Sequence, residues 1–428
     1  MSEQSRETAF GKNQSLLEKL GPGLITGAAD DDPSGIATYS QVGAAFGYGM
    51  LWTALFSFPL MVAIQMTSAL IGRVSGAGLA ENMRKHSPPW LVHSIVILLL
   101  IANVINIAAD IGAMGAALQL LVGGSPHLYA VGFGLLSLAL QVFISFERYA
   151  PILKVLTLAL FAYVATVFVV DVPWEKALQA TLLPPLSFKA DYLVAVVAVF
   201  GTTISPYLFF WQATQEVEEQ RGSDSQMPLK VAPWQARRQV ERIKVDTYVG
   251  MGFSNAVAFF VMLTAAVTLH AHGIANIDST AQAAKALRPV AGEFAFLLFS
   301  FGIVGAGLLA VPILAGSAAY AVAETFKWKT GLGKHYTKAR GFYAILAFAT
   351  LLGVALNFTP VDPIKALYYS AVVNGVIAVP VMVAIMRMAT KPEVMGKFVI
   401  TRRLKLFGWL ATLVMAAVVV AMFITSER

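Results

Sequence analysis

Apolar residues run through this chain in stretches of about 20, the length at which a helix crosses a bilayer. Short segments rich in Lys, Arg, Pro and Gly separate them. The pattern predicts eleven membrane-spanning helices, over 23–45, 49–72, 94–122, 128–146, 150–171, 192–220, 246–271, 290–322, 342–358, 364–387 and 405–425. Between the sixth and seventh, the mixed-charge stretch 220–244 reads as a polar connector with a short amphipathic helix on the membrane surface. Acids at the end of the sixth span, Glu216, Glu218 and Glu219, are expected to be a solvated helix end, with an acidic exit funnel as the sharper alternative.

Two spans break this pattern. In the first, "TGAADDDPSGIATYS" sets Asp30, Asp31 and Asp32 inside an apolar or small-residue run, followed at once by Pro33 and then by Gly35. One aspartate at mid-membrane costs about 2.5–3.5 kcal/mol on an insertion scale, so three together imply a cavity, a partner or an ion. Pro33 removes a backbone donor and Gly35 relaxes the chain. The freed carbonyls and amides are tolerated in a membrane only where they line a cavity. The sixth span, "VAVVAVFGTTISPYLFFWQATQEVEEQ", is interrupted near its middle by Gly201, Thr202, Thr203, Ser205 and Pro206. Interruptions in the first and sixth helices are what an inverted repeat of five plus five helices produces, with the substrate where the unwound segments face each other. The repeats are placed at 23–171 and 192–387, after a polar tail at 1–22, and the eleventh span, 405–425, is peripheral. Asp32 beside Thr202 and Ser205 makes an anionic, all-oxygen site, which suits hard divalent cations.

Composition narrows the picture further. Hydrophobic residues make up 57% and charged residues 13% of 428 positions, with mean hydropathy +0.69, leaving little room for a separate soluble domain. Of the 31 lysines and arginines, 25 fall on segments that are cytoplasmic if the N-terminus is inside. Positive residues collect on the cytoplasmic side, so the chain is expected in the cell inner (plasma) membrane with its N-terminus cytoplasmic and its C-terminus outside. The net charge of +7 is then topology, and no nucleic-acid role is expected. With no cysteine, disulfides, thiolate metal sites and iron–sulfur clusters are excluded. Six histidines lie in loops or near span ends and none at a break; the pair His270 and His272 reads as incidental. No catalytic motif is visible, so neither an enzyme nor a cofactor is expected, and no protein partner is evident, which leaves a monomer.

The stretch "GPGLITGAADDDPSGIATYSQVGAAFGYGMLW" resembles the first span of the Nramp divalent-metal transporters, and "GTTISPYLFFWQATQEVEE" falls where that family carries Met-Pro-His. The resemblance extends over nearly the whole chain in span count and order. It implies an all-α polytopic membrane protein with a LeuT-like inverted repeat plus an eleventh helix, transporting divalent metal ions by alternating access. It carries the motif aspartate onto Asp32, its proline onto Pro33 and a carbonyl ligand onto Thr202. Elsewhere the chain departs from the family. Gly35 stands at the ligand asparagine, Ser205 at the methionine, Tyr207 at the histidine and Ala371 at a glutamine, for which Asn374 is the nearby substitute. Of two proton-pathway acids in the third span, Asp110 is kept and the other is Ile107, and the ninth span has no charged residue where the family has arginines. These departures resemble the Nramp-related branch that handles magnesium and manganese. The implied cargo is of the Mn²⁺/Mg²⁺ class, with Fe²⁺ as a further candidate, imported with weak or no proton coupling through Asp110 and Tyr207. Asp32 is expected to bind the ion directly, Asp31 to act from an outer shell or vestibule, and Asp30 to be a bystander, because successive helical residues point about 100° apart. The competing expectation is an organic-solute carrier of the amino-acid type with the same fold.

Overall fold

The computed structural model describes residues 21–144, 148, 158–223, 225–277, 279–360 and 362–426. The polar tail therefore lies almost wholly outside the described residues, as do the end of the fourth span and the start of the fifth. Numbering only helices of eight residues or more, the first span is two pieces, α1 (Pro22–Asp30) and α2 (Pro33–Phe46), followed by α3 (Trp52–Ser75), a short α4 (Leu79–His86), α5 (Pro89–Val122) and α6 (Pro126–Phe143). The fifth span ends in α7 (Phe161–Val169), and α8 (Trp174–Leu182) turns away from it by 119°. The sixth is again two pieces, α9 (Ala190–Thr203) and α10 (Pro206–Arg221). Then come α11 (Ala236–Thr268), α12 (Ala295–Thr325), α13 (Arg340–Leu356), α14 (Pro363–Ala389) and α15 (Arg402–Ser426).

Eight of these segments are long and apolar enough to cross a membrane on their own. The other three predicted spans fall short for identifiable reasons. The first is broken and carries three aspartates, the fifth begins outside the described residues, and α13 has only 17 residues. The connector differs from expectation. Among its described residues it holds no separate amphipathic helix, because the basic run after Gln235 is already the first two turns of α11. Helix α8 was not foreseen either; its Trp174-to-Leu182 stretch is too short to register in the hydropathy pattern.

The packing follows the symmetry of an inverted repeat. The first span lies along the seventh, α1 and α2 against α11, and its counterpart, the sixth, lies along the second, α10 against α3. Both contacts close on glycine. A side chain at Gly27 would run into the backbone of Gly250 across the α1–α11 seam, and one at Gly72 would run into the Ala213 carbonyl across α3–α10. Small residues let helix backbones approach in a membrane, where no hydrophobic force draws helices together. The third and eighth spans, α5 and α12, form the most extensive pairing and the scaffold behind the breaks.

Candidate metal centre

Each break is built from its own sequence. Asp31 closes α1 with φ −81° and ψ 49°, and Asp32 opens α2 in extended backbone with Pro33 as its first helical residue. Proline costs nothing there, since that amide has no intrahelical partner. The Asp32 Oδ1 atom accepts the Gly35 amide at 2.6 Å, so the carboxylate also caps α2. In the second break Ile204 ends α9 and Ser205 opens α10. The Ser205 hydroxyl is positioned to donate to the freed carbonyls of Gly201, at 2.8 Å, and Thr202, at 2.7 Å.

The breaks meet. A side-chain carbon at Gly35 would sit 3.2 Å from the Thr202 hydroxyl, 3.2 Å from the Asp30 carbonyl and 3.4 Å from Asp32 Oδ1. Tyr207, one residue beyond Pro206, reaches back to donate to Asp32 Oδ2 at 3.3 Å and to the Ala29 carbonyl at 3.1 Å. Helix α14 seals the side. Ser34 donates to the Leu367 carbonyl at 2.9 Å, and Gly201 lies directly against the Ala371 carbonyl and the Gly375 amide. Asn374, next to Gly375, is buried and its Oδ1 has no hydrogen-bond partner among the described residues. Asp110 on α5 is fully buried, close enough to Asp32 to interact with it electrostatically, and neither carboxylate oxygen is hydrogen-bonded among the described residues.

Asp32 parts from the other two aspartates at the break between α1 and α2. Asp32 faces Tyr207 on α10, whereas Asp30 and Asp31 turn to α11, where the Ser254 hydroxyl contacts Asp30 Oδ2 and lies 3.3 Å from Asp31 Oδ1. Asp30 Oδ1 and Asp31 Oδ2 have no partner among the described residues, where no three His, Asp or Glu side chains cluster closely enough to hold one metal. A cation here would draw on neutral and backbone oxygens beside one or two carboxylates. The candidate ligands Asp32, Thr202, Ser205, Tyr207 and Asn374 offer hard oxygens, with no sulfur or imidazole among them. Ile107, at the lost acid, fills space instead: it packs into Gly353 of α13.

Sequence reading missed Ser254, Asn103 and Asn106. Asn106 is fully buried with no partner for either polar atom among the described residues, and Asn103 donates to the Leu314 carbonyl of α12 at 2.9 Å. The signal was present, because Asn103, Asn106 and Asp110 recur at helical spacing in an otherwise apolar span.

At the far end of α10, Glu216 overturns the expectation of a solvated terminus. It is fully buried and paired with Arg242, with Arg73 at 3.8 Å. Arg242 also reaches Glu219 at 3.3 Å and Asp246 at 3.9 Å. Asp246 in turn accepts the amides of Gly21 at 2.8 Å, Gly23 at 2.6 Å and Leu24 at 2.9 Å. A carboxylate thus caps α1 from a neighbouring helix, at the end where the helix dipole favours it. At the opposite end a cavity of about 620 Å³ opens between α2, α9 and α14. Its lining reaches Gln41 and Val42, about two helical turns from the Asp32 break.

The chain matches the family model described as Nramp, natural resistance-associated macrophage protein-like, over residues 23–425. It is 30% identical over 390 residues to the divalent metal cation transporter MntH of Acidiphilium cryptum, covering 88% of this chain and 83% of that one. It is 26% identical to the MntH of Klebsiella pneumoniae, covering 95% and 92%. Among solved structures, the manganese transporter of Eremococcus coleocola superposes with a TM-score of 0.72 at 18% identity, over 96% of this chain and 86% of that one. MhsT in complex with L-phenylalanine superposes with a TM-score of 0.63 at 12% identity, over 94% and 98%.

Proposed function

This chain belongs to the Nramp family of multi-pass membrane transporters, and we propose that it carries divalent metal cations by alternating access around the facing breaks. One observation carries this most: Asp30, Asp31, Asp32 and Asp110 are buried together, and among the described residues no lysine or arginine pairs with any of them. Buried carboxylates in a membrane need a compensating charge. A transported cation supplies it.

Asp32 is the direct ligand, joined by the Thr202 carbonyl and by Ser205 and Asn374 as neutral oxygens, with Asp31 in the outer shell and Asp30 outside it. Tyr207 orients Asp32 by hydrogen bonding to the oxygen that Gly35 does not hold. Hard donors favour Mn²⁺ and Mg²⁺, with Fe²⁺ within range, over thiophilic ions. The protein resides in the plasma membrane with its N-terminus inside and its C-terminus outside, and imports metal as a monomer with weak or no proton coupling. MhsT shares the fold with L-phenylalanine bound, but a site dense in aspartates repels a substrate carboxylate. Mn²⁺ uptake into proteoliposomes, with excess amino acid as competitor, separates the two cargoes. Uptake indifferent to amino acids is expected, and amino-acid uptake without Mn²⁺ uptake would overturn the proposal.

A further inference from the structure

Helix α15 has no counterpart in the repeat, yet it packs along α3 and α14 and closes a groove of about 670 Å³ with α3 and α11. Basic residues gather toward one end of the groove, where Val74, Val240 and Phe398 also line it. On α11, Lys244 precedes Tyr248 by one turn, and on α15, Arg403 precedes Phe407 by one turn; all four line it. In both helices the basic residue lies nearer the N-terminal end, the end shared with Lys397 in the preceding connection. Further along the groove the wall is apolar, with Pro59, Val62 and Met66 of α3 lining it together with the two rings. Lys244, Lys397 and Arg403 are exposed, and among the described residues none forms an ion pair.

We infer that this groove is a binding site for an anionic phospholipid. Its basic mouth takes the phosphate-bearing headgroup and its apolar floor takes the proximal acyl chain. The charge order fixes the class of ligand. An uncharged lipid such as a sterol would leave the three cations without a counter-ion, and a soluble anion would leave the apolar floor uncovered. Basic residues gathered at a mouth between transmembrane helices are the arrangement that holds anionic headgroups, each lysine or arginine near such a surface contributing about 1 kcal/mol. The groove volume suits a partly enclosed lipid, within the ~300–1,000 Å³ typical of ligand sites. The site lies against α3 and α11, the partners of both broken helices, so its occupancy braces the elements against which they move.

Native mass spectrometry of the purified full-length protein in detergent, with equal phosphatidylglycerol and phosphatidylcholine of one acyl composition, tests this. Wild type is expected to retain phosphatidylglycerol at least several-fold over phosphatidylcholine. The Lys244→Gln/Lys397→Gln/Arg403→Gln variant should lose that preference while a Lys327→Gln/Lys329→Gln control on other exposed lysines keeps it. All these positions are exposed, so folding is preserved, which a matching melting temperature in lipid-free detergent verifies. Equal retention of the two lipids by wild type, an undiminished preference in the triple variant, or the same loss in the control would each overturn the assignment.

Discussion

At the scale of single residues, Gly35 and Ser205 shape the two facing breaks. A side chain at Gly35 would press on the Thr202 hydroxyl and the Asp30 carbonyl, so Gly35→Asn should not restore a family ligand. It is expected to weaken Mn²⁺ uptake and lower thermal stability, and an uptake gain without a stability loss would contradict the packing. Ser205 holds two freed carbonyls. Ser205→Met supplies a thioether but abandons those bonds, at about 1–3 kcal/mol for each buried acceptor left alone. The variant should therefore raise Cd²⁺ uptake relative to Mg²⁺ and melt earlier. An unchanged Cd²⁺/Mg²⁺ ratio in competition uptake would mean that position 205 does not face the ion. Asp30→Asn, which keeps an acceptor for Ser254, should retain most uptake. What the sequence made legible at this scale was the breaks themselves, since aspartates beside a proline announce a local conflict between chemistry and membrane. Ser254 was harder to place, because its contacts with Asp30 and Asp31 depend on how distant helices cross.

At the scale of elements, the α1 end of the molecule is latched. Asp246 accepts three amides at the start of α1 across 222–225 residues of sequence, and Arg242, itself paired with Glu216, holds Asp246 in turn. None of this could be read from the chain alone, where Asp246 and Glu216 look like ordinary polar residues at span ends. In the alternating-access cycle proposed above, with the N-terminus inside, this latch would be the contact that α1 releases for an ion to exit on that side. Asp246→Asn keeps the shape but loses the charge that the α1 dipole attracts, worth about 0.3–2 kcal/mol. A cysteine at Thr26 reports the consequence cleanly, because the protein has no cysteine of its own. Thr26 is fully buried, and its thiol should label faster in the Asp246→Asn background; an identical rate would show that the latch does not hold α1. Gly27→Ala, which drives a methyl into Gly250, should separate the same seam more severely and reduce folded yield.

Across the whole molecule, the positions on α5, α10 and α13 where the resemblance places proton carriers hold few titratable groups among the described residues. Tyr207 occupies the histidine position, Ile107 is sealed against Gly353, and α13 is uncharged after Arg340 at its start. Asp110 stands as the single buried acid of α5. Metal movement is therefore expected to follow the membrane potential, worth about 2.3 kcal/mol per charge per 100 mV. A trapped pH dye should record little metal-dependent acidification, and acidification abolished by Asp110→Asn would refute this. Everything rests on a divalent cation held at the facing breaks through Asp32. The most direct test is Mn²⁺ uptake into proteoliposomes under an inside-negative potassium potential, comparing wild type with Asp32→Ala at matched insertion. Wild type should accumulate Mn²⁺ regardless of added amino acids and Asp32→Ala should fall to the level of empty liposomes. Uptake by Asp32→Ala equal to wild type would contradict the account.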